Sequence, residues 1–446
     1  MNQETIAAVA TAPGEGAIAV VRISGPKAFE VAQKIFSKRL ESLKTHTAHY
    51  GHVLKSDGTL LDSALLLLMR GPHSYTGEDS IEISCHGGQL ITRAVLERIF
   101  EAGARAAMPG EFSLRAFLNG KLDLAQAEAV QELIAAKSEL ALENAEKQLE
   151  GALSEKVMQF QKDLTDIAAI LEAWVDFPEE GLEFASMDEI LSRLEKSLFQ
   201  MEKLQNTFHD GKVLHDGCSL CLIGSPNVGK SSLMNALLGK ERAIVTDIPG
   251  TTRDLLEEDL RLGALHFKLI DTAGIRTTDE VIEQEGIRRS QMAMKGADLI
   301  LLLLDASRPL SNEDRTLLAS APKEKTIVVW NKTDIQKPNE LLAAIQISAK
   351  KKSGIDDLKK AIDQRIWEKG APSKEEVLIT KLRHHEALRN AIESCKSVVH
   401  GLKSGISAEF VVSDIRSALK ELGKIIGTDV TEDILSAIFS KFCLGK

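Results

Sequence analysis

The chain has 446 residues, more than one hydrophobic core supports, so two to four domains are expected. Its composition, 27% charged and 43% hydrophobic, excludes a disordered chain, and its longest apolar runs are too short to span a bilayer, so we expect a cytoplasmic protein without membrane contact. The formal net charge of −10 requires any nucleic-acid partner to be bound by a local basic patch rather than by the whole surface.

The residue pattern divides the chain into four segments. Residues 1–118 alternate short β-branched stretches with Gly/Pro turns, which predicts an α+β domain. Apolar residues recur every three or four positions through 119–214, which predicts long helices. Strand, glycine loop and helix alternate through 215–372, the pattern of an α/β domain with a parallel sheet, and helical spacing returns in 373–446. We therefore expect the α/β domain to be inserted into one all-α helical domain.

The inserted segment begins with a phosphate-binding loop. GSPNVGKSS at 224–232 has glycines that let backbone N–H groups surround phosphate oxygens at a helix N-terminus. Lys230 is expected to reach the β- and γ-phosphates, and the Ser231 hydroxyl to bind Mg²⁺. The strand-like SLCLI before the loop and the helix-like SLMNALLG after it provide the context that this motif requires.

Later motifs indicate which nucleotide is bound. NKTD at 331–334 places the Asp334 carboxylate where it can accept from both the N1–H and the amino group of guanine, a donor pair that adenine lacks. Asp271 is expected in the Mg²⁺ shell, and TDIPGTTRD at 246–254 supplies a switch threonine. GTP is therefore favoured over ATP. The predicted GTP-contacting residues are Asn227, Val228, Gly229, Lys230, Ser231, Ser232, Thr246, Asp247, Ile248, Pro249, Gly250, Thr251, Thr252, Asp271, Thr272, Ala273, Gly274, Asn331, Lys332, Asp334, Ser348, Ala349 and Lys350.

Two further features follow from residue chemistry alone. Ile275 stands after DTAG, where many GTPases carry a water-orienting Gln, so another group must orient the water. Cys218 and Cys221 have the CxxC spacing of redox and zinc sites, but a three-residue offset in a strand points the two thiols to opposite faces. We therefore expect a buried structural pair.

The sequence ends in KFCLGK, which places the Cys443 thiol three residues before the last residue. The tail lacks the aliphatic and terminal residues of a prenylation box. Apolar residues at helical spacing in ILSAIFSKF predict that the last helix docks and carries the tail to a fixed place. Cys443 is then either a reactive thiol or a small apolar plug at a helix end.

Several stretches go beyond a generic nucleotide-binding protein. They are ATAPGEGAIAVVRISG (10–25), SYTGEDSIEISCHGG (74–88), PGEFSLRAFLNGKLDLAQAEA (109–129), TDIPGTTRD and the terminal FCLGK. With these motifs the whole chain resembles the MnmE (TrmE) family of bacterial and organellar tRNA-modification GTPases. The resemblance implies a multidomain fold with an α+β N-terminal folate-binding domain, an all-α helical domain and an inserted α/β P-loop GTPase domain.

The resemblance also implies an activity and its partners. Family members hydrolyse GTP and work with an FAD-dependent MnmG-type partner. Together they add an aminomethyl or carboxymethylaminomethyl group at carbon 5 of the wobble uridine of certain tRNAs. The one-carbon unit comes from a tetrahydrofolate, in the 5-formyl or 5,10-methylene form. The N-terminal domains form a homodimer, so an α2β2 heterotetramer with the partner is expected.

Four residues match the folate pocket of the family. They are Arg22, Glu82, Lys121 and Lys446. Arg and Lys suit the carboxylates of folate, and a carboxylate suits the donor face of the pterin. From the residues alone, Arg22 and Glu82 also fit an ordinary cross-strand charge pair. Beside this pocket, the Cys443 thiol is a candidate catalytic nucleophile on C6 of the uracil ring, or an acid/base in the same step.

In the family, K⁺ stands where an arginine finger acts in other GTPases. The matching K⁺ positions are Asn227, Thr246, Ile248 and Thr251. Thr252 and Ser231 match the Mg²⁺ ligands. The catalytic switch glutamate that replaces the missing Gln corresponds to Glu283, with Glu285 as a nearby competitor and a solvated helix face as the alternative for either.

Two other function classes share part of this pattern. A GTP-switched ribosome-assembly factor has the same nucleotide motifs, but it carries an RNA-binding module or a second G domain rather than the glycine-rich N-terminal segment and FCLGK end of this chain. A scaffold with a dead nucleotide site is disfavoured by the intact Lys230, Ser231, Asp271 and Asp334. The sequence therefore predicts a tRNA-modifying GTPase.

Overall fold

The structure is a computed structural model of the chain. It describes residues 4–176, 185–238, 258–262, 265–270, 294–340, 342–367, 370, 372–373 and 376–445. The chain divides into two compact units. The first unit comprises residues 1–134, 146–202 and 386–446, and the second comprises residues 135–145 and 203–385. Among the residues described, no helix is long and apolar enough to cross a membrane.

A six-stranded sheet forms the N-terminal part of the first unit. Its strands are β1 (Ile6–Val9), β2 (Ile18–Ser24), β3 (Thr47–Leu54), β4 (Leu60–Met69), β5 (Ser80–His86) and β6 (Arg105–Ala106). They lie in the order β3-β4-β5-β2-β1-β6, and all neighbours are antiparallel except β1 and β6. Because side chains alternate along each strand, one face carries the apolar residues that pack with α1 (Ala28–Ile35) and α2 (Gln89–Glu101). Arg22 and Glu82 lie on the other face.

Among the described residues, helices follow this sheet along the chain. They are α3 (Glu111–Leu118), α4 (Leu124–Ala135), α5 (Glu139–Leu149), α6 (Ala152–Asp176), α7 (Met187–Gln205) and α8 (Phe208–Asp216). The C-terminal helices are α12 (Leu382–Lys403), α13 (Ala408–Ile426) and α14 (Glu432–Phe439). The α13 helix buries Val411, Ile415, Ala418 and Leu422 at three- and four-residue spacing and packs along α6, which makes this part all-α.

A second six-stranded sheet lies in the second unit. Its strands are β7 (Cys218–Ile223), β8 (Glu258–Leu262), β9 (Leu265–Ile270), β10 (Leu299–Asp305), β11 (Thr326–Asn331) and β12 (Ile345–Gln346). They lie in the order β12-β11-β10-β7-β9-β8, parallel except for the β8–β9 pair. Helices described in this segment include α9 (Lys230–Leu238), α10 (Asn312–Ser320) and α11 (Ile355–Ile366), with a 3₁₀ turn at Lys323–Lys325.

The central strands of this sheet are apolar on both faces. Every residue of β10 is buried, as expected for a parallel strand covered on two sides. On β7, Cys218 belongs to one core cluster and Cys221 to another; both thiols are buried and neither forms a disulfide. The prediction of a buried structural pair is thus confirmed. The fold class, with α+β, all-α and α/β P-loop parts, is also confirmed, while the division at 118, 214 and 372 stays a prediction.

Candidate nucleotide site and tail-docking site

The phosphate-binding loop joins β7 to α9 and needs its glycines. Gly224 has a φ of 151°, and a Cβ there would lie 2.5 Å from the carbonyl oxygen of Leu303. Gly229 has a φ of 101°, and a Cβ there would lie 2.3 Å from the Asn331 side-chain nitrogen. Both distances are shorter than real Cβ contacts, so a side chain at either position would displace the loop.

Lys230 is the first residue of α9, and its ammonium is turned into the loop. Its Nζ donates to the carbonyl oxygens of Gly224 at 2.6 Å and Ser225 at 3.0 Å. Burial lowers the pKa of Lys230, because a charged ammonium is less stable away from water. The Lys230 ammonium, which is predicted to bind the phosphates, therefore lies against the loop. Ser231 and Ser232 follow on the exposed side of the same helical turn.

Asn331 joins three of the predicted nucleotide motifs. Its side-chain amide donates to the carbonyl oxygen of Val228 at 2.9 Å, and its amide oxygen accepts from the backbone N–H of Ala349 at 3.0 Å. The side chain is 2% exposed, so both bonds are shielded from water. The structure thus brings the phosphate loop, the NKTD segment and the Ser348–Lys350 segment to one edge of the sheet. Sequence reasoning had not predicted that Asn331 ties them together.

Asp334 and Ser348 face each other at the predicted base-binding position. The Ser348 hydroxyl donates to Asp334 Oδ1 at 2.7 Å. This hydrogen bond holds the pKa of the Asp334 carboxyl below its usual value, with smaller contributions from the charges of Lys351 and Lys350. The carboxylate is therefore ionised at neutral pH and oriented as an acceptor. Lys332 donates to Asp305 Oδ2 at 2.6 Å, which links the NKTD segment to the end of β10.

Part of the predicted site lies outside the described residues. These positions are Thr246, Asp247, Ile248, Pro249, Gly250, Thr251, Thr252, Asp271, Thr272, Ala273, Gly274, Ile275, Glu283, Glu285 and Lys446. The roles assigned to them stay predictions.

In the first unit, Arg22 and Glu82 are directly cross-strand partners on β2 and β5. Arg22 Nε and Nη2 each lie 2.8 Å from Glu82 Oε1. The guanidinium also lies 5.6 Å from the ring centres of Tyr75 and Phe112, within the range of cation–π attraction. The charge pair is therefore held rigidly by protein groups on several sides.

The C-terminal tail docks at this charge pair. Arg22 Nη1 donates to the carbonyl oxygen of Gly445 at 3.1 Å. Phe439 and Phe442 are buried in a cluster with Leu124 and Ala127, which accounts for the fixed path of the tail. Along that path Cys443 is exposed, whereas the other four cysteines are buried. The tail therefore presents one accessible thiol two residues before Gly445, the residue whose carbonyl oxygen accepts from Arg22.

Lys121 is placed differently from the other predicted folate residues. Its Nζ donates to the carbonyl oxygen of Pro72 at 3.1 Å. Its side chain also lies against Gly77, in the loop that carries Tyr75. The structure thus joins Arg22, Glu82 and Gly445 by direct contacts and connects Lys121 to them through the loop at 71–79.

A ladder of ion pairs supports that loop. Arg115 bridges Glu78 Oε2 and Glu111 Oε1, each at 3.0 Å, and Glu111 Oε1 also accepts from Arg105 at 2.6 Å. Burial by itself would raise the pKa of Glu111, but hydrogen bonds from Arg105, the Met108 backbone and Arg115 lower it to about 2. Sequence reasoning missed this ladder; the only signal was the charge content of the PGEFSLRAF stretch.

Comparison with known proteins identifies the family. Residues 124–443 match the family described as "MnmE helical domain", and residues 5–121 match "GTP-binding protein TrmE N-terminus". A protein of Protochlamydia amoebophila named "tRNA modification GTPase MnmE" is 61% identical over 99% of this chain and 98% of its own length. Proteins of the same name from Clostridioides difficile (42% identical, 99% of each chain) and Syntrophotalea carbinolica (43% identical, 100% of each chain) are similar throughout. The chain therefore belongs to the MnmE family of tRNA modification GTPases.

Proposed function

We propose that this GTP-hydrolysing enzyme modifies the wobble uridine of tRNA at carbon 5, with a one-carbon unit from a tetrahydrofolate and with an FAD-dependent MnmG-type partner. The observation that supports this most directly is the junction of Arg22, Glu82 and the tail. The charge pair and the Gly445 carbonyl oxygen meet there from distant parts of the chain, and the exposed Cys443 lies two residues before Gly445 in the same tail.

The charge pair has the chemistry that folate requires. A guanidinium suits the glutamate carboxylates, and a carboxylate suits the N–H groups of the pterin. Arg22 and Glu82 are mostly buried and fixed by protein contacts, so the two side chains are preorganised for such a ligand. Lys121 and Lys446 complete the proposed folate set. When bound, the folate supplies the one-carbon unit.

The thiol of Cys443 is proposed to act on the uracil. Addition of the thiolate to C6 forms a carbon–sulfur bond and moves the electron pair of the C5–C6 double bond toward C5, which makes C5 nucleophilic. An acid/base role for Cys443 in the same step is the alternative. Exposure of the thiol on a fixed tail supports either role, because a reacting base needs access.

The nucleotide site is proposed to use two cations. Ser231 and Thr252 are the proposed Mg²⁺ ligands, and the hydroxyl of Ser231 on the first turn of α9 is an oxygen ligand of the kind that Mg²⁺ prefers. The proposed K⁺ positions are Asn227, Thr246, Ile248 and Thr251. Asn227 has a φ of 60° and an exposed side chain, so its carboxamide is accessible to a cation. Glu283 is the proposed catalytic residue that orients the attacking water.

Assembly follows the family pattern in this proposal. The N-terminal units form a homodimer, two partner subunits complete an α2β2 heterotetramer, and the complex acts on tRNA in the cytoplasm.

Nucleoside analysis of tRNA tests this function. Total tRNA from a deletion strain is digested and examined by mass spectrometry. We expect the modified wobble uridine to disappear and to return with the wild-type gene but not with Lys230→Ala, which removes the phosphate-binding ammonium. An unchanged nucleoside profile in the deletion strain would refute the proposal.

A further inference from the structure

We propose that Arg308 is a positioning residue of the GTP site and that it holds the phosphate-binding loop through Ser225. Arg308 lies in the loop after β10. Its Nη2 donates to the Ser225 hydroxyl at 2.6 Å, and its Nη1 lies 2.9 Å from Asp314 Oδ2. Ser225 is the second residue of GSPNVGKSS and is 3% exposed. A charge-assisted hydrogen bond to a buried hydroxyl therefore fixes one loop residue.

The partner that anchors Arg308 is itself fixed. Asp314 is 1% exposed and lies in the first turn of α10. Its Oδ2 also accepts from the backbone N–H and the hydroxyl of Ser311, at 3.0 and 2.9 Å. A buried carboxylate needs such partners, because its burial without them is costly. Arg308 therefore connects the phosphate loop to a helix terminus that cannot easily move.

The same guanidinium extends the connection toward the base-binding segment. Arg308 Nε lies 4.0 Å from Asp305 Oδ2, the oxygen that accepts from Lys332 at 2.6 Å. Lys332 belongs to NKTD, so the chain of contacts runs from Ser225 through Arg308 and Asp305 to the segment that recognises guanine. This route is separate from the Asn331–Val228 bond, which holds a different residue of the loop.

The main chain of Ser225 also forms a hydrogen bond within the loop. Its carbonyl oxygen accepts from Lys230 at 3.0 Å, while its hydroxyl accepts from Arg308. Loss of the Arg308 contact would leave the loop free to shift at the residue that supports the phosphate-binding ammonium. The effect should therefore appear for nucleotides that carry a β-phosphate and should be small for GMP, because Lys230 is expected to act on the β- and γ-phosphates.

The test compares GDP and GMP binding in four variants of the full-length protein. Competition with a fluorescent guanine nucleotide gives both affinities. We expect Arg308→Ala and Ser225→Ala each to weaken GDP binding about tenfold, the scale of one hydrogen bond to a charged group, with GMP binding unchanged. The double variant should lose no more than Ser225→Ala alone, because that change already removes the bond to Arg308. Arg308→Lys should retain part of the affinity.

Arg315→Ala is the matched control. Arg315 lies on α10 next to Asp314, but its guanidinium is exposed and pairs with Glu340 at 3.0 Å, so its loss should leave both affinities unchanged. Additive losses in the double variant, or a GMP affinity that falls as far as the GDP affinity, would overturn the proposal. If Arg308→Ala does not fold, Ser225→Ala decides the question, since it removes only a hydroxyl. Unchanged GDP binding by that variant would equally overturn it.

Discussion

Arg22 donates to the backbone carbonyl oxygen of Gly445 at 3.1 Å, although 423 positions separate the two residues in the sequence. The contact needs a residue without a side chain at 445. Gly445 has a φ of 89°, and a Cβ there would lie 2.3 Å from the carbonyl oxygen of Val9. The tail is therefore held by the hydrogen bond from Arg22 and by the close approach of the Gly445 and Val9 backbones.

Gly445→Ala should release the tail. We expect GTP hydrolysis to be retained, tRNA modification to fall, and carboxypeptidase to remove the last residues faster than from the wild-type protein. Gly405→Ala is the matched control, because Gly405 also has a positive φ, 70°, but a Cβ there meets nothing within 4 Å. Equal digestion rates for the two variants would show that the Val9 contact does not hold the tail.

Both sites have parts that the sequence predicts and contacts that it does not. The phosphate loop, Asp334 and Lys230 are found by motif, because glycines and charges at fixed spacing are required by phosphate and guanine chemistry. Arg308–Ser225, Arg115–Glu78 and Arg22–Gly445 join residues that are 83, 37 and 423 positions apart, and no local pattern marks such pairs.

The long helices show the same limit at the level of domains. The periodicity of 119–214 predicts helices, and helices are found. Yet residues 135–145 and 203–214 group with the sheet of the second unit, whereas 146–202 belong to the first. Helical spacing gives the apolar face of a helix but not the neighbour that covers it, so the pattern alone could not assign these segments.

The cation dependence of hydrolysis tests the proposed K⁺ site. Ile275 cannot orient water, and Asn227 presents an exposed carboxamide in the phosphate loop. We expect the GTPase rate to be much higher in K⁺ than in Na⁺ and this advantage to shrink in Asn227→Ala. Equal rates of the wild-type protein in the two salts would refute the K⁺ assignment.

Asp334→Asn should change which base is preferred. The substitution replaces an acceptor by a donor, so GTP binding should weaken by about a hundredfold, the scale for a lost charged hydrogen-bond acceptor, and xanthosine triphosphate should bind better than GTP. Titration with both nucleotides measures the change. Asp356→Asn, at an exposed position on α11, serves as the control. A variant that keeps wild-type GTP affinity would remove Asp334 from the base site.

The ion-pair ladder predicts an acid-sensitive first unit. The pKa of Glu111 is about 2 in the folded chain, below its ordinary value of 4.5. The folded state therefore binds this proton less readily than the unfolded state does, so the stabilisation is complete above about pH 5 and is lost as the pH falls toward 2. Chemical unfolding at several pH values should show a smaller loss of stability between pH 5 and 3 in Glu111→Gln than in the wild-type protein. The same loss of unfolding free energy between pH 5 and 3 in both proteins would contradict this account of the ladder.

The most direct test of the whole account asks whether Cys443→Ser keeps GTP hydrolysis but loses tRNA modification. The variant keeps the size of the side chain and leaves the phosphate loop and the Arg22–Glu82 pair untouched. GTP hydrolysis in K⁺ and 5-formyltetrahydrofolate binding are measured on the purified protein, and the wobble uridine is measured by mass spectrometry of tRNA from cells that carry only the variant. We predict wild-type hydrolysis and folate binding with no modified wobble uridine. Fully modified tRNA in those cells would contradict the account and reduce Cys443 to a packing residue.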